Sequence, residues 1–218
     1  FMYLMDDIFA SSDTDIGQAK GVTHPIETFE HPPQSILLRL RYSPDQREII
    51  RKHIDSMLRA GVIEPSQSAW SAPIVLAPKK DGKWRFCISY KQMNKCTERK
   101  DVYQPPLVED ALDALSGHSY FSSLDMLSGY WQVMLHEPHR HKTAFESPDG
   151  GLFLWNRMPF GLTNAPATFQ RFMDLTLSGL RWQCCIVYID DIVVYSRSFE
   201  VHLRDLALIF QRLRQAGL

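Results

Sequence analysis

Residues 184–195 read Cys184-Cys185-Ile186-Val187-Tyr188-Ile189-Asp190-Asp191-Ile192-Val193-Val194-Tyr195. Two apolar, β-branched runs separated only by a pair of acids predict two strands joined by a tight hairpin with both carboxylates at its tip. A lone Asp-Asp pair belongs more often to a solvated loop. Here the flanking strands are so apolar that the acids must end at the rim of a packed sheet. A third acid, Asp125, closes another predicted strand, Tyr120-Phe121-Ser122-Ser123-Leu124-Asp125. Carboxylates gathered on neighbouring strands repel one another and raise one another's proton affinity, an arrangement that hard cations relieve. Two such ions would serve phosphoryl transfer, one sharpening an attacking hydroxyl and the other stabilising the leaving oxygen. The sequence carries its own control: Tyr3-Leu4-Met5-Asp6-Asp7-Ile8 imitates Tyr188-Ile189-Asp190-Asp191-Ile192 but has no strand partner, so no metal is expected there.

Outward from the hairpin, helices alternate with antiparallel strand pairs. Ser43-Pro44-Asp45 opens a helix with an N-cap, a first-turn proline and an acid; Ile50, Ile54, Met57 and Leu58 form its apolar stripe, and Gly61 stops it. Ile74 to Ala77 and Trp84 to Ile88 flank Pro78-Lys79-Lys80-Asp81-Gly82-Lys83, a hairpin with a basic tip. A short helix from Leu107 to Leu115 leads into the Asp125 strand. Another strand pair surrounds Pro148-Asp149-Gly150-Gly151, whose doubled glycine reads as a lengthened loop. Asn164-Ala165-Pro166 starts a helix with Phe169, Phe172, Met173 and Leu177 on one face, and a last helix runs from about Glu200 to Ala216. This order predicts an α+β fold. Residues 1–35 lack sustained periodicity and end in His31-Pro32-Pro33, so they read as an arm joined to something upstream.

The net charge of −1 conceals an uneven distribution: −5 over residues 1–35, +8 over residues 36–100 and −4 over residues 101–218. A polyanion-handling enzyme shows such a division when one region grips phosphates and another holds cations. No stretch is long and apolar enough for a membrane helix, and Asp6 and Asp7 stand where a signal peptide would be basic, so the reading is a soluble intracellular protein with no membrane partner. Cys87, Cys96, Cys184 and Cys185 form no C-x-x-C pair and are expected to be buried, reduced thiols. His136, His139 and His141 have the wrong spacing for zinc and are expected on an exposed loop.

From about Tyr42 to Leu218 the chain resembles the reverse transcriptases of Ty3/Gypsy-type LTR retrotransposons. The likeness runs through GVIEPSQSAWSAPIVLAPKKDGKWRFC (61–87), YFSSLDMLSGYWQV (120–133), KTAF (142–145), MPFGLTNAPATFQRFMD (158–174) and YIDDIVVYS (188–196), in that order. The resemblance implies a right-hand polymerase fold, with fingers and an incomplete palm over residues 42–218 that stop before the primer grip and thumb. Residues 1–41 would be a spacer following an upstream protease.

It also implies an RNA-directed DNA polymerase that adds dNTPs to a primer 3′-hydroxyl on an RNA or DNA template. Asp125, Asp190, Asp191 and the Met126 carbonyl would hold two Mg²⁺ ions, with Mn²⁺ as an alternative. Lys79 and Arg85 would clamp the incoming triphosphate, an ammonium suiting a terminal phosphate and a planar guanidinium able to bind phosphate and stack on a base. Tyr130 would be the ring that excludes a ribose 2′-hydroxyl, Phe160 would lie beside the nascent base pair with Gly129 leaving room nearby, and Lys91 would touch template phosphate. Implied partners are the template, the primer, dNTPs and the remaining polyprotein domains: thumb, RNase H, integrase and protease. The implied location is the cytoplasm, within virus-like particles.

Two departures stand out. Ser89-Tyr90-Lys91 replaces the family's Asp-Tyr-Arg, losing an acid and a bidentate guanidinium, and this bears on template affinity more than on chemistry. A second reading is a catalytically incompetent fragment that binds only nucleic acid or a partner. A third is an RNA-copying RNA polymerase, which has no use for a bulky gate at Tyr130.

Overall fold

A computed structural model describes residues 5–29, 41–78, 82, 84–103 and 106–218. In chain order the elements are β1 (Thr23–His24), α1 (Pro44–Arg59), β2 (Ile63–Pro65), β3 (Ile74–Pro78), β4 (Trp84–Ile88), α2 (Lys91–Cys96), α3 (Val108–Leu115), β5 (Tyr120–Asp125), β6 (Met134–Leu135), β7 (Phe145–Glu146), β8 (Leu152–Trp155), α4 (Ala165–Thr176), β9 (Cys185–Tyr188), β10 (Asp191–Ser196) and α5 (Phe199–Ala216). Short 3₁₀ helices cover Asp6–Ile8, Gly129–Gln132 and Glu137–Thr143. The chain divides into two compact units. One comprises Phe1–Val22, Asp101–Val133 and Pro166–Leu218, the other Thr23–Lys100 and Met134–Ala165.

The first unit is built on a three-stranded antiparallel sheet in the order β5-β10-β9. β10 is central, and its Ile192, Val194 and Tyr195 are buried, as are Cys185, Ile186 and Val187 of β9. α4 places Phe169, Phe172, Met173 and Leu177 in the core at helical spacing, and α5 adds Ile209, Phe210 and Leu213. Ser198 caps α5, and Gly217, at φ 81°, ends it in the left-handed conformation that glycine adopts most readily. His202 of α5 is buried and bonds through Nε2 to Ser122 Oγ of β5 at 2.8 Å, and through Nδ1 to Ser196 Oγ of β10 at 3.2 Å. A polar pin therefore ties the last helix to two of the strands.

The second unit contains α1, whose capping box joins Ser43 and Gln46 reciprocally, a motif worth about 1 kcal/mol. Its Ile50, Ile54 and Met57 are buried. A sheet of order β2-β8-β7, the β3-β4 hairpin and a two-residue parallel pair β1-β6 complete the unit. Phe145 lies at its centre, with ring centroids 5.9 Å from Phe86 and 6.0 Å from Trp155. The doubled glycine opens the β7-β8 turn as expected, Gly150 and Gly151 both having positive φ.

The described part of the arm makes backbone bonds to both units, and one expectation is corrected in part. In the first unit, Gln18 and Lys20 donate to the carbonyls of Gly217 and Ala216, and Ala19 donates to Gln132 O, each at 2.8 Å. In the second, β1 pairs with β6 and Ile26 is buried. These are single-residue exchanges, which leave no periodic trace in the sequence. The histidine cluster, expected on an exposed loop, flanks and joins a 3₁₀ helix: His136 and His141 are exposed, and His139 is half-buried with Nδ1 accepting the Ile26 N–H at 3.0 Å. Burial, then the charges of Lys142 and His136, push its pKa down, so it is a neutral acceptor that anchors the arm. All four cysteines are free; Cys96, Cys184 and Cys185 are buried and Cys87 is half-buried.

Candidate active site

The sequence predicts a turn at Asp190-Asp191; the structure sets it one residue earlier, at Ile189-Asp190, with Asp191 opening β10. That shift matters, because strand pairing now places Asp191 directly opposite Asp125 at the end of β5, with Tyr188 on its other side. Asp190 sits in the turn, and its carbonyl accepts the Met126 N–H at 3.2 Å. One backbone bond thus ties the segment after Asp125 to the turn that carries Asp190.

Two non-glycine residues at the site have left-handed backbones. Ile189 has φ 58°, at a turn position glycine usually takes. For a β-branched residue that conformation costs about 1–3 kcal/mol and persists only where the surroundings impose it. Its N–H donates to Oε1 of the buried Gln170 at 2.7 Å. Ser128, at φ 48°, turns the chain into the 3₁₀ helix that presents Tyr130. Gly129 lies nearby, where a side chain would be tight and would press on its neighbours. A Cβ there would lie 3.0 Å from Phe169 Cζ and 3.2 Å from Asp190 Cβ.

Asp125 and Asp191 are exposed and Asp190 is half-buried. Burial raises the pKa of Asp190, and the charges of Asp191 and Asp125 raise it further. Among the described residues none of the three pairs with a cationic side chain. Nor do any three His, Cys, Asp or Glu side chains among the described residues converge tightly enough to hold an ion. The three acids are neighbours in the sheet without closing around one point. As a donor set they suit a hard divalent cation, being oxygen ligands whose mutual repulsion a cation would relieve.

Tyr130 is 8% exposed, and its ring meets Phe169 edge-on with centroids 5.5 Å apart. Burial, then the Asp190 charge, push its hydroxyl up to about 12, so the ring stays neutral beside the acids. A cavity of about 360 Å³ adjoins the site, bordered by Asp125, Met126, Gln132, Arg214 and Asp7. Asp7 there is paired with Arg214, whose Nε lies 2.7 Å from its carboxylate.

The remaining sequence-predicted residues belong to the second unit. Arg85 is exposed on β4 opposite Ala77, Lys91 is exposed at the start of α2, and Phe160 is 47% exposed. Lys79 lies outside the described residues, as do Lys80 and Lys83. Tyr90, between the two departures from the family pattern, is buried and donates its hydroxyl to Thr143 O at 3.0 Å, while Ser89 N–H donates to Pro73 O at 2.9 Å. The backbone and the tyrosine are thus accommodated with Ser89 in place.

Gln170 is the residue that sequence reasoning missed. Its signal was a glutamine inside the apolar face of α4, four residues before Asp174.

Residues 77–218 match the reverse transcriptase (RNA-dependent DNA polymerase) family. The chain is 39% identical over 220 residues to the enzymatic polyprotein of cauliflower mosaic virus (strain D/H), covering 99% of this chain and 32% of that protein. It is 36% identical over 182 residues to the retrovirus-related Pol polyprotein from transposon opus of Drosophila melanogaster, covering 81% of this chain and 18% of that one. The crystal structure of prototype foamy virus protease-reverse transcriptase superposes with a TM-score of 0.87 at 28% identity, covering 98% of this chain and 28% of that one. The foamy viral protease-reverse transcriptase in complex with an RNA/DNA hybrid gives 0.86 at 26% identity, covering 99% and 28%. The chain therefore spans about a third of the length of the first of these polyproteins.

Proposed function

This chain belongs to the reverse transcriptase (RNA-dependent DNA polymerase) family, and we propose from that premise that it is the polymerase part of a polyprotein that copies RNA or DNA templates into DNA. Its α+β fold is that of right-hand polymerase fingers and palm, with no thumb among the described residues. It is related to retroviral, pararetroviral and Ty3/Gypsy-type polymerases. The ordered blocks quoted above are what supports a Ty3/Gypsy-type element as its source. Residues 1–41 would be the spacer after a protease, and the thumb, RNase H and integrase would be the other partners. Virus-like particles in the cytoplasm would be the setting. No helix among the described residues is long and apolar enough to cross a membrane.

The observation that carries the reading is the register of Asp191 against Asp125 with Asp190 in the intervening turn. These carboxylates and the Met126 carbonyl would hold two Mg²⁺ ions, or Mn²⁺ in their place. When bound, the ions supply charge neutralisation and activation of the primer 3′-hydroxyl. The chain itself supplies no covalent nucleophile. It positions a hydroxyl against the α-phosphate of a dNTP, and pyrophosphate leaves.

Tyr130, held by Phe169 and neutral beside Asp190, would occupy the space a ribose 2′-hydroxyl needs. Arg85 and Lys79 would grip the triphosphate, and the exposed ring of Phe160 would lie beside the nascent base pair. Lys91 would contact template phosphate as a point charge. Primer extension on an RNA template with Mg²⁺ tests the reading, by this chain and by a chimera joining Leu218 to the following portion of the cauliflower mosaic virus polyprotein. DNA synthesis from dNTPs in preference to NTPs is expected. Retained nucleic-acid binding with no extension by either form would favour the non-catalytic fragment, and extension with NTPs would favour an RNA polymerase.

A further inference from the structure

The turn that carries Asp190 is strained, and the residue that holds it lies on another element. Gln170 of α4 is 1% exposed. Its Oε1 accepts the N–H of Ile189 at 2.7 Å, and its Nε2 donates to the carbonyl of Val187 at 3.3 Å. One side-chain amide therefore grips the chain on both sides of Tyr188, just where it leaves β9 and enters the left-handed conformation at Ile189. Nε2 also donates to Asp174 Oδ1 at 2.9 Å. Asp174 is fixed in turn: its other oxygen accepts the Tyr103 hydroxyl and lies 2.6 Å from Arg181 Nη1.

This arrangement dictates which way the amide points. Turned over, Gln170 would place its oxygen against the Asp174 carboxylate and its NH₂ against the Ile189 N–H, acceptor on acceptor and donor on donor. The Asp174 charge, anchored by Arg181 and Tyr103, thus determines that an acceptor faces Ile189. The bond to Val187 is buried and the other two are part-buried, so losing the amide would leave the buried Val187 carbonyl unpaired and the Ile189 N–H without its protein acceptor. The strain at Ile189 would then relax by moving the turn, and Asp190 with it.

We propose that Gln170 is the positioning residue of the acid site, fixing through the Ile189 amide the turn that sets Asp190 beside Asp125 and Asp191, with Asp174 as the group that orients it. The proposal rests on the polymerase reading for its use and on the hydrogen-bond geometry for its substance. Gln170→Met, which keeps the volume and removes the bonds, should therefore loosen the turn while β9 and β10 persist. Gln170→Glu keeps an acceptor for Ile189 but sets a carboxylate against Asp174, and adding Asp174→Asn should relieve that conflict.

The test is residue-resolved amide hydrogen exchange on the full chain, combined with Mn²⁺ titration read by electron paramagnetic resonance. In Gln170→Met, exchange at Ile189 is expected to accelerate at least about tenfold, with Ile186 and Val193 unchanged, and Mn²⁺ affinity is expected to fall at least about tenfold, equivalent to about 1.4 kcal/mol. Gln170→Glu should show the same losses and the double variant should recover most of both. Unchanged exchange at Ile189 in Gln170→Met, unchanged Mn²⁺ affinity beside a wild-type chain that binds the ion, or no recovery in the double variant would each overturn the proposal. A wild-type chain that binds no Mn²⁺ would count against the metal reading above, and the clamp is then decided by exchange at Ile189 alone.

Discussion

Met5-Asp6-Asp7-Ile8 and Ile189-Asp190-Asp191-Ile192 carry nearly the same letters, and Asp7 borders the same cavity as Asp125, the cross-strand partner of Asp191. In the first stretch the acids lie in a single 3₁₀ turn, and Asp7 receives the Arg214 guanidinium at Nε and Nη2. That bond holds the Asp7 carboxyl below its ordinary range. In the second stretch burial, then the charges of Asp191 and of Asp125 on the neighbouring strand, move Asp190 in the opposite direction. The difference shows that the chemistry of an acidic pair lies in what neutralises it. A charge answered by an internal guanidinium is structural, and a charge left unanswered at a sheet rim is available to an external cation.

The comparison breaks most visibly in activity. Asp125→Asn or Asp191→Asn should lower single-turnover primer extension by at least about 10³-fold, roughly 4 kcal/mol of transition-state stabilisation, whereas Asp7→Asn should stay within about twofold. Comparable losses in both sets would erase the distinction. Gly129→Ala comes next, because its Cβ would press on Phe169 and Asp190. A loss of about 10- to 100-fold in extension rate is expected, and a wild-type rate would mean the site tolerates the displacement. Replacing the Tyr130 ring by Val should reduce discrimination between dNTPs and NTPs by about 100-fold, measured as a ratio of kcat/KM values; unchanged discrimination would remove the gate.

The smallest effect is on stability without divalent cations. Asp190 has a raised folded-state pKa, so its contribution is most favourable below the unfolded value of about 3.9 and is lost as pH rises through the folded value. Asp190→Asn should therefore stabilise the fold progressively above about pH 4, by no more than about 1 kcal/mol after solvent screening. Asp7 has a lowered pKa, so its contribution is present above the unfolded value and disappears as pH falls through the folded one. Asp7→Asn should lower the melting temperature slightly at neutral pH and not in strong acid. Thermal melts from pH 3 to pH 8 would show the two variants moving in opposite directions, and parallel shifts would contradict the assignment.

Much of this was legible because local signals agreed with tertiary ones. The Ser43 capping box, the apolar face of α4 and the apolar runs around Asp190-Asp191 each specify an element and its buried side. The turn was misplaced by one residue because nothing local favours a left-handed isoleucine; the acceptor of its N–H, Gln170, is reached only through the fold. The arm's bonds were not legible because they are made one residue at a time, to Gly217, Gln132 and His139, and leave no periodic pattern. Of the proposed nucleotide contacts, Arg85 and Phe160 have exposed side chains. An exposed side chain marks availability and leaves the role to experiment.

The central claim is that the Asp190 hairpin, and not its N-terminal imitation, carries the chemistry. The most direct test is single-turnover dNTP incorporation on an RNA template with Mg²⁺, comparing the wild-type chain, Asp190→Asn and Asp7→Asn in the same polyprotein context. The account predicts extension by the wild type and Asp7→Asn and none by Asp190→Asn with its fold intact; extension by Asp190→Asn at the wild-type rate would contradict it.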